Sequence, residues 1–221
     1  MTPPFSGPTL AECLAAYADE LRGTGSPFAA EYDRLIERLQ AGSLGELAPQ
    51  VGEIMPPFML PDQNGHIVGL ADLLAEGPVV VSFNRGHWCP FCRIELSAFD
   101  DAHAELMHLG ARVVSIMPDR QPYTKRLAAT FKHPLTILSD MDNDYALSLG
   151  LAMWVGAEIR DLLVEDGTLL PTFQGSEAWV LPLPATFVVR ADGRVAARYV
   201  NPDFRERMEI TAVLSALRSE G

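Results

Sequence analysis

Val79-Val80-Val81-Ser82-Phe83-Asn84-Arg85-Gly86-His87-Trp88-Cys89-Pro90-Phe91-Cys92 decides the fold of this chain. Its opening run is apolar and β-branched and does not alternate, so it reads as a strand buried on both faces. A short turn follows, and a helical pattern then runs over residues 93–109. The strand therefore delivers two cysteines to the first turn of a helix. Unpaired N–H groups and the positive end of the helix dipole gather there, and both favour a thiolate over a thiol. Thiolates carry the chemistry of cysteine, and Cys-x-x-Cys sites are where the thiol pKa falls well below its usual ~8.5. The stretch predicts a redox dithiol. An inert buried pair is the bland alternative. A metal site is the weaker one, because one cysteine pair supplies two of the four ligands that structural zinc takes. No metal and no cofactor is expected.

Outward from the cysteines, strands and helices keep alternating. Residues 78–83 form the strand, preceded by a short helix at Leu70–Leu74. The helix after the cysteines buries Leu96, Phe99, Leu106 and Met107 and stops at Gly110. Arg112–Met117 is the next strand, Asp119 caps a helix through Phe131, and residues 135–138 and 145–149 make a strand and a short helix. Ala185–Val189 and Val195–Val200 flank Arg190-Ala191-Asp192-Gly193, a hairpin signal. Ile210, Val213, Leu214 and Leu217 stripe a closing helix. The order β-α-β-α-β, hairpin, helix predicts right-handed crossovers between parallel strands and an antiparallel edge. That is an α/β, thioredoxin-like fold, a central mixed sheet flanked by helices. Residues 151–183 hold no sustained period and read as an irregular insertion with one helix around residues 158–163.

Ahead of this domain lies a helical extension. Thr9-Leu10-Ala11-Glu12 fits a capping box, and Leu10, Cys13, Leu14, Tyr17 and Leu21 recur at helical spacing. After Gly23-Thr24-Gly25, Ser26 and Pro27 restart a helix as N-cap and first residue. Its stripe is Phe28, Tyr32, Leu35, Ile36 and Leu39. Residues 1–45 are thus a helical extension and residues 46–221 the thioredoxin-like domain. Two amphipathic helices need a surface to dock on, and a homodimer through them is the expectation.

The chain has 221 residues, 48% of them hydrophobic, enough for one α/β domain with additions. Its net charge of −12 argues against nucleic acid and anionic membranes as partners. No apolar run approaches the ~20 residues of a membrane span. Residues 1–7 lack the basic region and apolar core of a signal peptide. Three cysteines are not a disulfide framework, and a cytoplasmic location is expected.

Four stretches carry a family resemblance: Gly52-Glu53-Ile54-Met55-Pro56-Pro57-Phe58-Met59-Leu60, Arg85 to Cys92, Pro134-Leu135-Thr136-Ile137-Leu138-Ser139-Asp140, and Leu183-Pro184-Ala185-Thr186-Phe187-Val188-Val189. They resemble the alkyl hydroperoxide reductase and thiol-specific antioxidant superfamily, in its peroxiredoxin-like branch with an Arg-Gly-x-Trp-Cys-Pro-x-Cys site. The resemblance implies Cys89 as attacking thiol, Cys92 as resolving thiol and Pro184 as a cis-proline facing them. It implies hydroperoxide substrates and a thioredoxin- or glutathione-type reductant. One motif departs from the family. Fast peroxiredoxins resemble one another in Pro-x-x-x-Thr/Ser-x-x-Cys, yet counting back from Cys89 gives Ser82 and Gly86, and from Cys92 gives Arg85 and Cys89. The family's later arginine falls near Asn143. Arg85 is the candidate substitute for the missing guanidinium.

Arg85 and His87 before Cys89, and Arg93 after it, add positive charge that steadies a thiolate. Trp88 and Pro90 flank the sulfur, Trp88 as shield or core. Cys13, Trp154 and Trp179 read as core, and His66, His103, His108 and His133 as surface. Asp203, Arg205 and Arg207 resemble a family Asp-Phe/Tyr-x-x-Arg motif, with Asp203 capping the last helix and the arginines facing solvent. Three functions follow: a thiol-dependent peroxidase, a thiol-disulfide oxidoreductase acting on protein disulfides, or a non-enzymatic redox sensor.

Overall fold

The computed structural model describes residues 7–219; residues 1–6, most of the stretch read above for a signal peptide, lie outside it. Two helices lead, α1 (Leu10–Gly23) and α2 (Pro27–Gln40). The capping box forms: Glu12 N–H donates to Thr9 Oγ1 at 3.2 Å and Thr9 N–H to Glu12 Oε2 at 2.7 Å. Ser26 and Pro27 take their expected positions, but the Ser26 side chain makes no cap hydrogen bond. A small hairpin, β1 (Met59–Pro61) and β2 (Ile67–Gly69), turns on the Asp62 carboxylate, which accepts from the N–H groups of Asn64 and His66. Helix α3 (Leu70–Leu74) follows.

The central elements are β3 (Val79–Phe83), α4 (Pro90–Asp101), α5 (His103–His108), β4 (Arg112–Met117), α6 (Gln121–Ala128), β5 (Thr136–Ser139) and α7 (Asp144–Ser148). Next come β6 (Ala152–Trp154), α8 (Ala157–Glu165), α9 (Leu170–Gln174) and β7 (Val180–Pro182), then β8 (Ala185–Val189), β9 (Val195–Val200) and α10 (Ile210–Arg218). The main sheet runs β5-β4-β3-β8-β9. Its β3, β4 and β5 are parallel, while β8 is antiparallel to β3 and β9 to β8. Every residue of β3 is buried, as its unbroken apolar run requires. Side chains alternate across a strand. Val79, Val81 and Phe83 therefore enter one core with Phe58, Phe91 and Phe187, and Val80 enters the other with Leu96, Phe99, Val213 and Leu214.

Four sequence expectations are corrected. The helix after the cysteines is two helices, broken at Ala102 (φ −87, ψ 4), so Leu106 is buried while Met107 faces solvent. Asp119 does not cap α6; Arg120 holds that position, because the Asp119 carboxylate is engaged by His87 instead. Residues 151–183 are ordered: β6 pairs antiparallel with β7, and α8 and α9 lie between them. Three-residue strands are too short to show a period, which is why they escaped notice. Trp154 is exposed, its ring lying under the Arg38 guanidinium at 5.5 Å.

The helical pair docks on its own chain. Tyr32 packs edge-on against Phe204, ring centroids 5.1 Å apart, and against Phe91 at 6.3 Å. Ala11 N–H donates to Glu209 Oε1 at 2.7 Å, and Arg205 Nη1 reaches Asp33 at 2.6 Å. Among the described residues, no helix is long and apolar enough to cross a membrane.

Candidate active site

The end of β3 is tied by Asn84 N–H to Ile116 C=O at 2.8 Å. The chain then turns through Gly86 at φ 148, a region L side chains rarely adopt; a Cβ there would stand 2.5 Å from Trp88 Nε1 and 3.1 Å from Asp119 Oδ1. Cys89 N–H donates back to Gly86 C=O at 3.1 Å, and Cys89 becomes the N-cap of α4, with Pro90 first in the helix. Cys92 sits one turn on. Both sulfurs are fully buried, unbonded and 3.0 Å apart, with the Cys92 thiol donating to Cys89 Sγ.

Arg85 folds back over this turn. Its Nε lies 3.3 Å and its Nη2 3.1 Å from Cys89 Sγ, while its backbone N–H donates to Cys92 Sγ at 3.3 Å. Arg85 as a whole is only 2% exposed. Its guanidinium rests on aromatic faces, 4.2 Å from the Phe204 ring centroid, 5.4 Å from Tyr32 and 5.5 Å from Trp88. A second guanidinium comes from Arg207, whose Nη2 is 3.7 Å from Cys92 Sγ. Its Nε donates to Glu95 Oε2 at 3.0 Å, in an ion pair with both side chains 1% exposed, and Glu95 Oε1 accepts from Thr186 at 3.2 Å.

Burial by itself raises the Cys89 thiol. The Cys92 donor and the charges of Arg85 and Arg207 more than offset that, and Cys89 is lowered to about 5. Burial and the neighbouring Cys89 sulfur raise Cys92 well above the usual thiol range. One sulfur is thus a thiolate at neutral pH and the other keeps its proton. Burial also raises Glu95, against the pull of Arg207, and pushes Tyr32 up to about 12, so the phenol stays neutral.

The remaining expected neighbours separate. Trp88 and Pro90, the residues on either side of Cys89, line a cavity of about 450 Å³ walled by α1, α2 and α8, while the two cysteines lie behind its lining. His87 turns away to Asp119: its Nδ1 is 2.7 Å and its backbone N 2.6 Å from Asp119 Oδ2, and its ring meets Tyr123 and Phe173. Pro184 is buried just before Ala185, which pairs with Phe83 at the dithiol end of β3. Its peptide bond is trans, since the described chain holds no cis bond. Trans is the intrinsically favoured isomer of an X–Pro bond. Cys13 is half-buried beside Arg93, Ile94 and Ser97 in a different cavity. Asp203 accepts from Arg205 rather than capping α10, whose N-cap is Glu209. Arg207 is the firmest correction: expected in solvent, it is drawn inside by Glu95. Glu95 and the aromatic supports Tyr32 and Phe204 were missed altogether. Only Glu95 had a local sign, standing one helical turn after Cys92.

A thioredoxin-type sheet that presents a buried, arginine-clamped thiolate beside a second thiol defines a thiol-dependent peroxidase. The comparisons with known proteins agree. The AhpC/TSA family model matches residues 51–198. The chain is 30% identical to the chloroplastic peroxiredoxin Q of Sedum lineare over 168 residues, 76% of this chain and 77% of that protein. It is 27% identical to peroxiredoxin Bcp of Escherichia coli strain K12 over 169 residues, 76% of this chain and 96% of that protein. The crystal structure of peroxidoxin BcpB from Mycobacterium tuberculosis superposes with a TM-score of 0.59 at 25% identity, covering 78% of this chain and 99% of that one. The chain belongs to the AhpC/TSA family, and it is a thiol peroxidase of the peroxiredoxin type.

Proposed function

We propose that this protein reduces hydroperoxides through a cycle of Cys89 and Cys92. The observation that carries the reading is the fork of Arg85 on a buried sulfur whose pKa is lowered to about 5. The Cys89 thiolate attacks the terminal oxygen of ROOH. An S–O bond forms, the O–O bond breaks, and the departing alkoxide takes up a proton, giving ROH and Cys89 sulfenic acid. Arg85, kept charged against its burial by the sulfur beside it, is placed to stabilise the negative charge moving onto the departing oxygen. This is the task the absent Thr/Ser of the fast-peroxiredoxin motif leaves open. The Cys92 sulfur then attacks the sulfenic sulfur; an S–S bond forms and water leaves with the Cys92 proton. The sulfurs close from 3.0 Å to the ~2.05 Å of a disulfide. A thioredoxin- or glutathione-type thiol returns the electrons by exchange.

Acting on protein disulfides is the weaker reading, because both sulfurs lie beneath side chains and a protein-sized partner meets neither as the reduced molecule is arranged. The test is stopped-flow oxidation of the reduced protein by hydrogen peroxide, with mass analysis of the product. A Cys89-Cys92 disulfide is expected. A Cys89→Ser protein that consumes peroxide as fast as wild type ends the proposal.

A further inference from the structure

The cavity beside Trp88 and Pro90 is built in part by residues the family match does not reach. Tyr17, Phe28 and Tyr32 come from α1 and α2, outside residues 51–198. Trp88 and Pro90, the residues on either side of Cys89, complete the lining together with α8 and the residues that follow it. We infer that this cavity is a substrate pocket which the helical extension adds to the domain, and that it selects uncharged organic hydroperoxides with a bulky apolar body over anionic ones. The inference rests on the peroxidase reading above and names the substrate class for that same sulfur.

Size is the first argument. A cavity of about 450 Å³ lies in the range that holds small organic ligands, whereas a water-sized molecule such as hydrogen peroxide fills only about 30 Å³. Two tyrosines, a phenylalanine, a tryptophan and three leucines of the lining offer apolar and aromatic faces. Charge is the second. The described lining carries two carboxylates, Glu165 and Asp166, and no lysine or arginine. Both are solvent-exposed members of the lining. A carboxylate tail entering here meets like charge in the lining, while the Arg85 guanidinium, beyond the Tyr32 and Trp88 rings, is already paired with the Cys89 sulfur. The approach to Cys89 is the third. Trp88 Nε1 has no hydrogen-bond partner among the described residues, so no hydrogen bond of the indole need break for the ring to shift against Arg85 as a peroxide group passes to the sulfur.

The experiment compares second-order rate constants for full-length reduced protein with hydrogen peroxide, cumene hydroperoxide and the para-carboxylate of cumene hydroperoxide. The last two match in shape and differ in charge. Cumene hydroperoxide is expected to exceed its carboxylate about fivefold, the scale of one charge pair in partly aqueous surroundings. The Glu165→Gln/Asp166→Asn variant is expected to close that gap, and Phe28→Ala to lower the ratio of cumene hydroperoxide to hydrogen peroxide severalfold. Binding of unreactive cumyl alcohol to Cys89→Ser protein, followed by tryptophan fluorescence, tests the pocket without catalysis and without altering its walls. Equal rates for the matched pair, or no saturable cumyl alcohol binding, overturn the pocket even while hydrogen peroxide is still reduced. If wild type reduces none of the three, the peroxidase reading has failed instead, whatever the binding titration gives.

Discussion

Replacing Arg85 with methionine removes the guanidinium while keeping a long apolar side chain between Phe204 and Tyr32. In the native protein two of its N–H groups lie 3.1 and 3.3 Å from Cys89 Sγ. A unit charge pair about 4 Å apart at an effective dielectric constant near 20 is worth about 4 kcal/mol. At 1.36 kcal/mol per pKa unit, its loss carries the thiol up about three units. Cys89 then titrates near pH 8 instead of about 5. At pH 7 the thiolate fraction drops from about 99% to about 10%, and the peroxide reaction slows about tenfold through ionisation alone. The sign is distinctive. For wild type the rate is flat above pH 6 and falls as pH drops through 5, because protonation removes the nucleophile. For Arg85→Met the same fall is centred about three units higher, so raising the pH restores much of the loss. Whatever deficit persists at pH 10 measures the help Arg85 gives to the departing oxygen. The assay is thiolate absorbance near 240 nm against pH, paired with stopped-flow peroxide oxidation on the same samples. A variant whose Cys89 still titrates within one unit of wild type refutes the reasoning, and assigns the thiolate to the Cys92 donor and the helix end.

Three further outcomes follow from the geometry. Cys92→Ser keeps a donor beside Cys89 and is expected to retain the first oxidation step within a few fold, accumulating sulfenic acid that dimedone traps; prompt disulfide-like turnover in this variant counts against Cys92 as resolving thiol. Arg207→Met leaves the Glu95 carboxylate buried without its partner, a loss of about 3–5 kcal/mol in urea unfolding, and adding Glu95→Gln recovers part of it. Gly86→Ala forces both a positive φ and a Cβ against Trp88 and Asp119; it is expected to cost more than 1 kcal/mol and to change Trp88 fluorescence, and an unchanged unfolding midpoint contradicts it.

The part of the site that was legible is the part made by neighbours in sequence. A buried strand, a turn and a Cys-x-x-Cys at a helix start are all local, and the parallel strands with their antiparallel hairpin follow from alternation and handedness, although the seat of the hairpin beside β3 does not. What surrounds the sulfur is assembled from afar. Tyr32 precedes Cys89 by more than fifty residues and Phe204 and Arg207 follow it by more than a hundred, and nothing in an isolated aromatic or arginine says which guanidinium or carboxylate it will meet. Polar residues misled for a related reason. Asp119 looked like a helix cap and Arg207 like surface charge, until a tertiary partner, His87 for one and Glu95 for the other, outbid the local role. Ranges as short as Ala152–Trp154 and Val180–Pro182 carry too few residues for a strand signal, although each finds its mate across the chain.

Arg85 is braced by Tyr32 and Phe204, and Cys92 is flanked by Arg207. The complete clamp around the sulfur is therefore assembled only when segments from near both ends of the described chain have met. A growing polypeptide that has released Cys89 and Cys92 but not residue 207 holds the local part of it, Arg85, the second thiol and the helix end, and lacks the aromatic brace of Phe204 and the charge of Arg207. The full acidity of Cys89 belongs to the finished fold.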